Sequence, residues 1–207
     1  MSERPREFVG SEAELRQIYP PQSELVKRKV IPKLDPHGQR FIELAPFACV
    51  ATFRPDGGAD VSPKGDAPGF ITILDERTLF LPDRVGNNRL DTLSNVLSNP
   101  AVALIFLIPG VEETFRVQGK GKVVRDEAFL ARFAVNGKTP RTGLLIEIEE
   151  CFLHCSKALK RSKLWGADYK VDRKALPSLG KMIADQQGGD AVAFEEAIQE
   201  SLRKRMY

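Results

Sequence analysis

Between residues 47 and 155 the chain keeps switching between short apolar or alternating runs and turns built from glycine, proline and aspartate. A two-residue alternation suits a pleated strand with one covered face, and closely spaced turn signals leave little room for long helices. "FACVATF" (47–53) is a buried run, and "RPDGGAD" after it reads as a hairpin turn. "FITILDERTLFLP" (70–82) reads as two strands joined at "DER". "AVALIFLI" (101–108), the turn "PGVEE", the long alternating "TFRVQGKGKVV" (114–124) and "GLLIEIEECFLHC" (143–155) follow. Together they make six or seven mostly antiparallel strands. Such a set is expected to close into a barrel rather than stack as a sandwich, because closure removes exposed edges. The fold class is mainly β with peripheral helices.

The helices lie mostly outside this region. "SEAELRQIY" begins with Ser11 as a cap and has Glu14 at the capping-box position. "PHGQRFIELA" (36–45) predicts a second helix, and the breakers "PPQ" and "IPKLDP" keep the two apart. "NNRLDTLSNVLSNP" (87–100) places Leu90, Leu93 and Leu97 three and four apart, which predicts a helix with that apolar face, stopped by Pro100. A short helix is expected in "DEAFLARFA", and "GDAVAFEEAIQESLRKRMY" reads as a terminal amphipathic helix. A chain of 207 residues suits one domain with appended arms. The expected division is a helical arm over 1–45, a β domain over 46–155 and a helical segment over 156–207.

Charge and composition narrow the partners. The net charge is +3, and the basic clusters "SKALKRSK" (156–163) and "LRKRMY" (202–207) read as solvated helix faces, so no nucleic-acid partner is expected. The longest apolar stretch, 101–108, falls far short of the roughly 20 residues that span a bilayer, so no membrane is expected. The start "MSERPREFVG" has no apolar signal core, and the expectation is a cytoplasmic chain. Cys49, Cys151 and Cys155 form an odd set and are expected to be reduced thiols. "CFLHC" (151–155) invites a metal reading, yet the chain has two histidines and no second ligand pair at a recognised spacing, so no metal is expected. On a strand, Cys151, Leu153 and Cys155 would share one face and belong to the core.

Two stretches carry the candidate chemistry. "DVSPKGDAPGF" (60–70) reads as an irregular loop after a strand, with the Ser62 hydroxyl, the Lys64 ammonium, and Gly65 and Gly69 for close backbone approach. "PDRVGNNRLDT" (82–92) leaves a strand at Pro82 and is expected to enter a helix near Asn87, bringing Arg84, Asn88 and Arg89 to a helix start that favours an anion. Each piece alone has an ordinary explanation: a surface lysine, an Asn87 cap, an Arg89 paired with Asp91 or Asp66. Together they indicate a phosphate-bearing ligand.

The order of "SPKGD", "FITILDERTLFLPDR", "GNNRLDTLSN", "NPAVALIFLIPG" and "ETFRVQGKGKVV" closely resembles the pyridoxamine 5'-phosphate oxidase-like flavoproteins, over residues 40–165 and most specifically over 60–123. Within them the chain is similar to the FMN-dependent enzymes of unassigned substrate. The resemblance implies a six- to seven-stranded antiparallel split barrel, the FMN-binding split barrel, working as a homodimer with FMN in clefts at the subunit interface. It implies that Ser62 and Lys64 hold the FMN phosphate on one side and Arg84, Asn88 and Arg89 on the other. Val61 would bring its backbone alongside the flavin ring. The C-terminal segment implies a flavin-side role for Arg161, Ser162 and Trp165, with Arg161 near the N1 and C2 carbonyl edge. One departure matters: the arginine-x-histidine motif with which true pyridoxamine 5'-phosphate oxidases contact their substrate is missing, so vitamin B6 oxidation is not expected.

The function implied is that of an FMN-dependent oxidoreductase, transferring hydride through flavin N5 to or from a small organic substrate. No catalytic acid or base is assigned: His37 lies in the N-terminal arm and His154 in the last strand. The alternative is a non-catalytic FMN or haem module for sensing or storage, in which haem would require His154 to face the cleft.

Overall fold

The structure is a computed structural model that describes residue 5 and residues 7–206; the start of "MSERPREFVG", apart from Pro5 and Glu7–Gly10, and the final tyrosine of "LRKRMY" lie outside the described residues. The arm begins with α1 (Glu12–Ile18), whose first turn is closed by Ser11 accepting from the Glu14 N–H at 3.2 Å. Glu14 reaches back to the Gly10 N–H at 2.8 Å, one residue earlier than a capping box would have it. A second short helix, α2 (Glu24–Arg28), was not expected from the sequence; Ser23 caps it through the Val26 N–H, just after the prolines. In α3 (Pro36–Leu44), Asp35 accepts from the Gly38 N–H at 2.7 Å and Pro36 occupies the first turn, where its missing N–H costs nothing.

Seven strands follow among the described residues: β1 (Phe47–Phe53), β2 (Ala59–Gly65), β3 (Thr72–Asp75), β4 (Thr78–Pro82), β5 (Ala101–Leu107), β6 (Thr114–Val124) and β7 (Gly143–His154). All pairs are antiparallel, in the order β2-β1-β5-β6-β7-β4-β3. The architecture is a split barrel. It differs from full closure in that β2 and β3 end the order and do not pair with each other.

Alternation decides which side chains enter the barrel. Ala48 and Val50 of β1, Leu104 and Phe106 of β5, and Phe115 and Val117 of β6 are all buried and meet across registered pairs. Each of these side chains larger than alanine contributes about 1.5–3 kcal/mol from leaving water. From α3, Phe41 packs on Phe115 with ring centroids 5.9 Å apart. On the outside of β4, Phe80 is covered by Phe129 and Phe133 at 4.9 and 4.4 Å, which seats α5 (Glu127–Ala131).

Three expectations are corrected here. Residues 60–70 do not form an irregular loop directly after a strand: 59–65 are β2, registered on β1 from Phe47↔Gly65 to Phe53↔Ala59. An edge strand needs ladder hydrogen bonds on one side only, so it tolerates Pro63 and the charged residues that made the stretch look like a loop. The helix after β4 is α4 (Asp91–Ser98), starting four residues later than expected, and it buries Thr92, Asn95 and Val96. Leu90 and Leu97 are exposed, so the leucine stripe is not the face that packs. Finally, Cys151 is fully buried, whereas Leu153 and Cys155 are exposed near and beyond the end of β7, so Cys155 is not core.

The polar face of α4 has a specific reason. Asn95 Nδ2 donates to Thr52 Oγ1 at 3.0 Å and to Asp60 Oδ2 at 3.3 Å, tying the helix to β1 and β2 at once. Asn95→Ala leaves the buried Thr52 hydroxyl and the half-buried Asp60 carboxylate without this donor, and urea unfolding is expected to show a loss of about 1–3 kcal/mol. Asn95→Asp, which keeps the shape but faces Asp60 with a second carboxylate, is expected to lose at least as much.

After β7 come α6 (Lys157–Ser162), a 3-10 turn at Arg173–Ala175, α7 (Leu179–Gln187) and α8 (Ala191–Arg205). The last two form a helical hairpin. At Gly180 a Cβ would lie 2.7 Å from the Ala191 carbonyl oxygen, so glycine sets how closely α7 and α8 approach. No described helix is long and apolar enough to cross a membrane.

Candidate functional site

In β2, cross-strand pairing fixes which way each candidate points. Ser62 and Lys64 pair with Val50 and Ala48, whose side chains enter the barrel, so both leave β2 on the inner side. Val61 pairs with Ala51, points outward and is 61% exposed. β2, the segment after β4 and α4 enclose a cleft of about 200 Å³. Lys64, Asp83, Arg84 and Thr92 give it polar walls, and Phe70, Leu81, Leu93 and Leu144 give it an apolar floor. Gly65, Val85 and Gly86 complete the rim with exposed backbone.

Electrostatics within the cleft are dominated by three groups. Arg84 donates from Nε to Asp66 Oδ2 at 3.0 Å and from Nη1 to the Phe133 carbonyl at 2.8 Å, with both partners of the ion pair largely buried. That arrangement staples the loop after β4 to the segment after β2 and to the turn after α5. Asp83, beside it, has its carboxyl raised above the ordinary 3.8 by burial, partly opposed by the Lys64 charge. A folded-state pKa above the unfolded one makes the protonated form fold more favourably. The associated stability is fully present below the unfolded value and is lost as pH rises through the folded one. Asp83→Asn is therefore expected to unfold no more easily than the unsubstituted chain at neutral pH, and to lose its advantage in acid. Thermal unfolding across pH measures this, and an asparagine variant destabilised at neutral pH would contradict it.

The loop 84–90 is shaped by two non-glycine residues in the left-handed region, Asn88 and Leu90, each with φ of 60°. Asparagine adopts that conformation readily and leucine rarely, so the strain sits at the entry to α4. Asn87 Oδ1 accepts from the Arg89 N–H at 3.1 Å, and Arg89 Nε donates to Asp91 at 2.8 Å on the surface. Asn87 therefore organises the turn and caps no helix; Leu90 occupies the cap position of α4 without a side-chain bond. Asn88 and Arg89 do not line the cleft, although they stand on the loop that forms its rim. From the end of α8, Arg205 donates to the Gly86 carbonyl at 3.1 Å on that same loop.

The C-terminal candidates stand elsewhere in the protomer. Ser162 donates to the Leu159 carbonyl at 3.1 Å, Arg161 is exposed, and Trp165 Nε1 donates to the Val111 carbonyl at 2.8 Å in the turn between β5 and β6. None of the three lines the cleft. Of the nine residues singled out in the sequence, the structure brings Lys64 and Arg84 together in one cleft. It adds Asp83 and Thr92, which sequence reasoning passed over. Asp83 stood next to Arg84 in "PDR", and its signal was a carboxylate directly after a run of buried residues. Thr92 had none, since only its burial at 5% exposure distinguishes it from any other helix residue. His154 stands on β7, next to Leu153 and two residues from Phe152, on the outer face and away from the cleft. Among the described residues no group of three or more potential metal ligands is found.

The family model described as pyridoxamine 5'-phosphate oxidase matches residues 34–155. No curated protein matches the sequence. Among solved structures, the chain is similar to HupZ of Group A Streptococcus at 17% identity and a TM-score of 0.47, over 58% of this chain and 93% of that one. It is similar to a protein related to general stress protein 26, of the pyridoxinephosphate oxidase family, from Clostridium acetobutylicum, at 13% identity and 0.45, over 57% and 85%. The FAD binding protein from Mycobacterium smegmatis is similar at 17% and 0.42, over 60% and 97%.

Proposed function

We propose, because this chain belongs to the pyridoxamine 5'-phosphate oxidase family, that its cleft holds the phosphate end of FMN and that the protein is an FMN-dependent oxidoreductase. The observation that carries the reading is the cleft's division into a polar wall with Lys64 and an apolar floor of Phe70, Leu81 and Leu144. A ligand with an anionic end and an apolar body fits that division. Lys64 supplies a compact positive charge for the phosphate, and the Thr92 hydroxyl and the backbone of 84–86 supply further polar groups. Arg84, fastened to Asp66 and Phe133, keeps the loop in place, and Asn88 and Arg89 form the outer bank of the phosphate site with Ser62 below it. Bound there, FMN would supply hydride transfer at its N5, and the chain's share is to bind, orient and exclude water.

A single protomer offers too little room for the whole cofactor. Ligand pockets usually enclose roughly 300–1,000 Å³, and this cleft has about 200 Å³. A second copy is the proposed source of the rest. The outward residues of β5, Ala101, Ala103, Ile105 and Leu107, are half-buried and apolar, as are Cys49 and Ala51 of β1, while Phe47 and Phe53 stand exposed beside them. A strand apolar on both faces is expected to be covered on both. We assign that outer face to a homodimer interface, with Val61 beside the flavin ring. Residues 46–155 are then the FMN domain, and the arms 1–45 and 156–207, with Arg161, Ser162 and Trp165, reach the partner.

The test compares FMN with riboflavin, which lacks the phosphate, by fluorescence titration. Binding of FMN at least about tenfold tighter than riboflavin is expected from one or more charge-assisted hydrogen bonds. Equal affinities would remove the phosphate site from the account. Sedimentation of the same samples should show a dimer that Ile105→Glu dissociates.

A further inference from the structure

The rim of the cleft is held from the far end of the chain. Residues 85–90 are exposed, and two of them, Asn88 and Leu90, adopt a φ of 60°. A strained conformation persists only where surrounding contacts over-determine it. Contacts within the loop are local: Asn87 Oδ1 accepts from the Arg89 N–H, and Arg89 Nε donates to Asp91. Arg84 fastens the near end of the loop to Asp66 and to the Phe133 carbonyl. Past that point, one hydrogen bond from elsewhere in the chain reaches residues 85–89 among the described residues. It comes from Arg205, whose Nη1 donates to the Gly86 carbonyl at 3.1 Å.

The course of α8 explains how Arg205 gets there. Two glycines at positive φ, Gly188 and Gly189, turn the chain into a helix of 15 residues, about 22 Å long at 1.5 Å per residue. Its last turn carries Arg203, Lys204 and Arg205, where the partial negative charge of a helix end favours cations. Lys204 is paired with Glu200 at 2.6 Å, whereas Arg205 has no carboxylate partner among the described residues. Its acceptor, Gly86, lines the cleft. Among the described residues no other hydrogen bond or ion pair joins α7 or α8 to the barrel, so Arg205 is the point where the helical hairpin and the cleft are coupled.

We propose that Arg205 is a positioning residue for the cleft: the end of α8 latches the 84–90 loop, and the latch slows the escape of an anionic ligand. A guanidinium that holds the Gly86 carbonyl fixes the orientation of that peptide plane. Because the peptide is trans, the Asn87 N–H then faces the opposite way, away from α8. The same side chain adds a positive charge at the rim, the sign that retains an anion. The latch stands on this geometry alone; that FMN is the ligand it retains rests on the flavin reading above.

Two measurements on the full-length protein keep the latch and the flavin reading apart. In the ligand-free protein, heteronuclear NMR follows solvent exchange of the Arg89 amide, whose bond to Asn87 reports the shape of the loop. Arg205→Ala should speed this exchange by about three- to tenfold, the worth of one ordinary hydrogen bond. Arg205→Lys, which still offers an N–H to the carbonyl, should restore most of the protection. Lys204→Ala removes the same charge from the same exposed turn and should change nothing. In the FMN-loaded protein, the release rate read from flavin fluorescence on dilution should rise by a similar factor in Arg205→Ala and stay constant in Lys204→Ala. An Arg89 amide indifferent to Arg205→Ala overturns the latch, as does equal acceleration by Lys204→Ala, which would make the effect one of net charge. Faster amide exchange with unchanged FMN release overturns the retention. If the unsubstituted chain holds no FMN while the amide responds as expected, the flavin reading fails and the latch stands.

Discussion

Lys64→Ala is expected to weaken FMN binding by about 10- to 100-fold, because a hydrogen bond to a charged group contributes roughly 1.5–3 kcal/mol. Lys64 lines the cleft from a strand whose register is fixed over seven paired positions, so its charge is delivered to one place. Arg89→Ala should have a smaller effect. Its guanidinium is engaged with Asp91 at the surface, and an exposed pair of this kind contributes no more than about 1 kcal/mol. Fluorescence titration of the two variants side by side distinguishes the roles, and equal losses would mean that Arg89 swings into the cleft to meet the phosphate. Riboflavin binding should respond little to either change, because the group that Lys64 addresses is missing from it.

The largest effect on stability is expected from Gly119→Ala. Gly119 sits at the register shift between β6 and β7, where Gln118 faces Glu150 and Gly119 faces Ile148. A Cβ there would press into the Glu147 carbonyl oxygen, 2.9 Å from its carbon and 3.2 Å from the Ile148 Cα. These are backbone atoms of a paired strand, and no rotamer change can move them aside. Since β6 and β7 form the long central ladder, the alanine must either separate them or shift the bulge. A cost at or above roughly 3 kcal/mol is expected, the upper end for overpacking. Gly121→Ala is the control. Its Cβ would meet the side chains of Leu144, Val96 and Val102, which can adjust, so its urea midpoint should fall less.

How much of this was legible in the sequence depends on the residue types at each place. The β1, β6 and β7 strands could be read to within a residue because their buried and half-buried positions alternate and glycine or proline turns flank them. The second strand could not, since Pro63, Lys64 and Gly65 carry no strand signal; β2 exists because β1 offers an edge to pair with. In α4, a leucine count pointed to the wrong face, because the buried face is decided by Asn95 reaching Thr52 and Asp60 across 43 and 35 residues of chain. The hairpin of α7 and α8 rests on a close approach at Gly180, and a glycine in a helix reads locally as a weakness.

The site was partly visible for a similar reason. Lys64 and Arg84 stood out by charge among turn residues, and they meet in one cleft. That Arg84 is a fastening for the loop follows from Asp66 and the Phe133 carbonyl, and the latter is a backbone atom no residue type announces. His154 was read for metal or haem, and only the register of β6 on β7 shows that it shares a face with Arg116 and Phe152 rather than with the cleft.

The cleft beside Lys64 is proposed to bind a flavin phosphate. The most direct measurement is the visible absorption spectrum of the protein mixed with FMN and then desalted. Flavin bands that remain with the protein, and that Lys64→Ala loses on desalting, are the predicted result. A protein that emerges colourless after equilibration with excess FMN would contradict the account, leaving the family's fold without the family's cofactor.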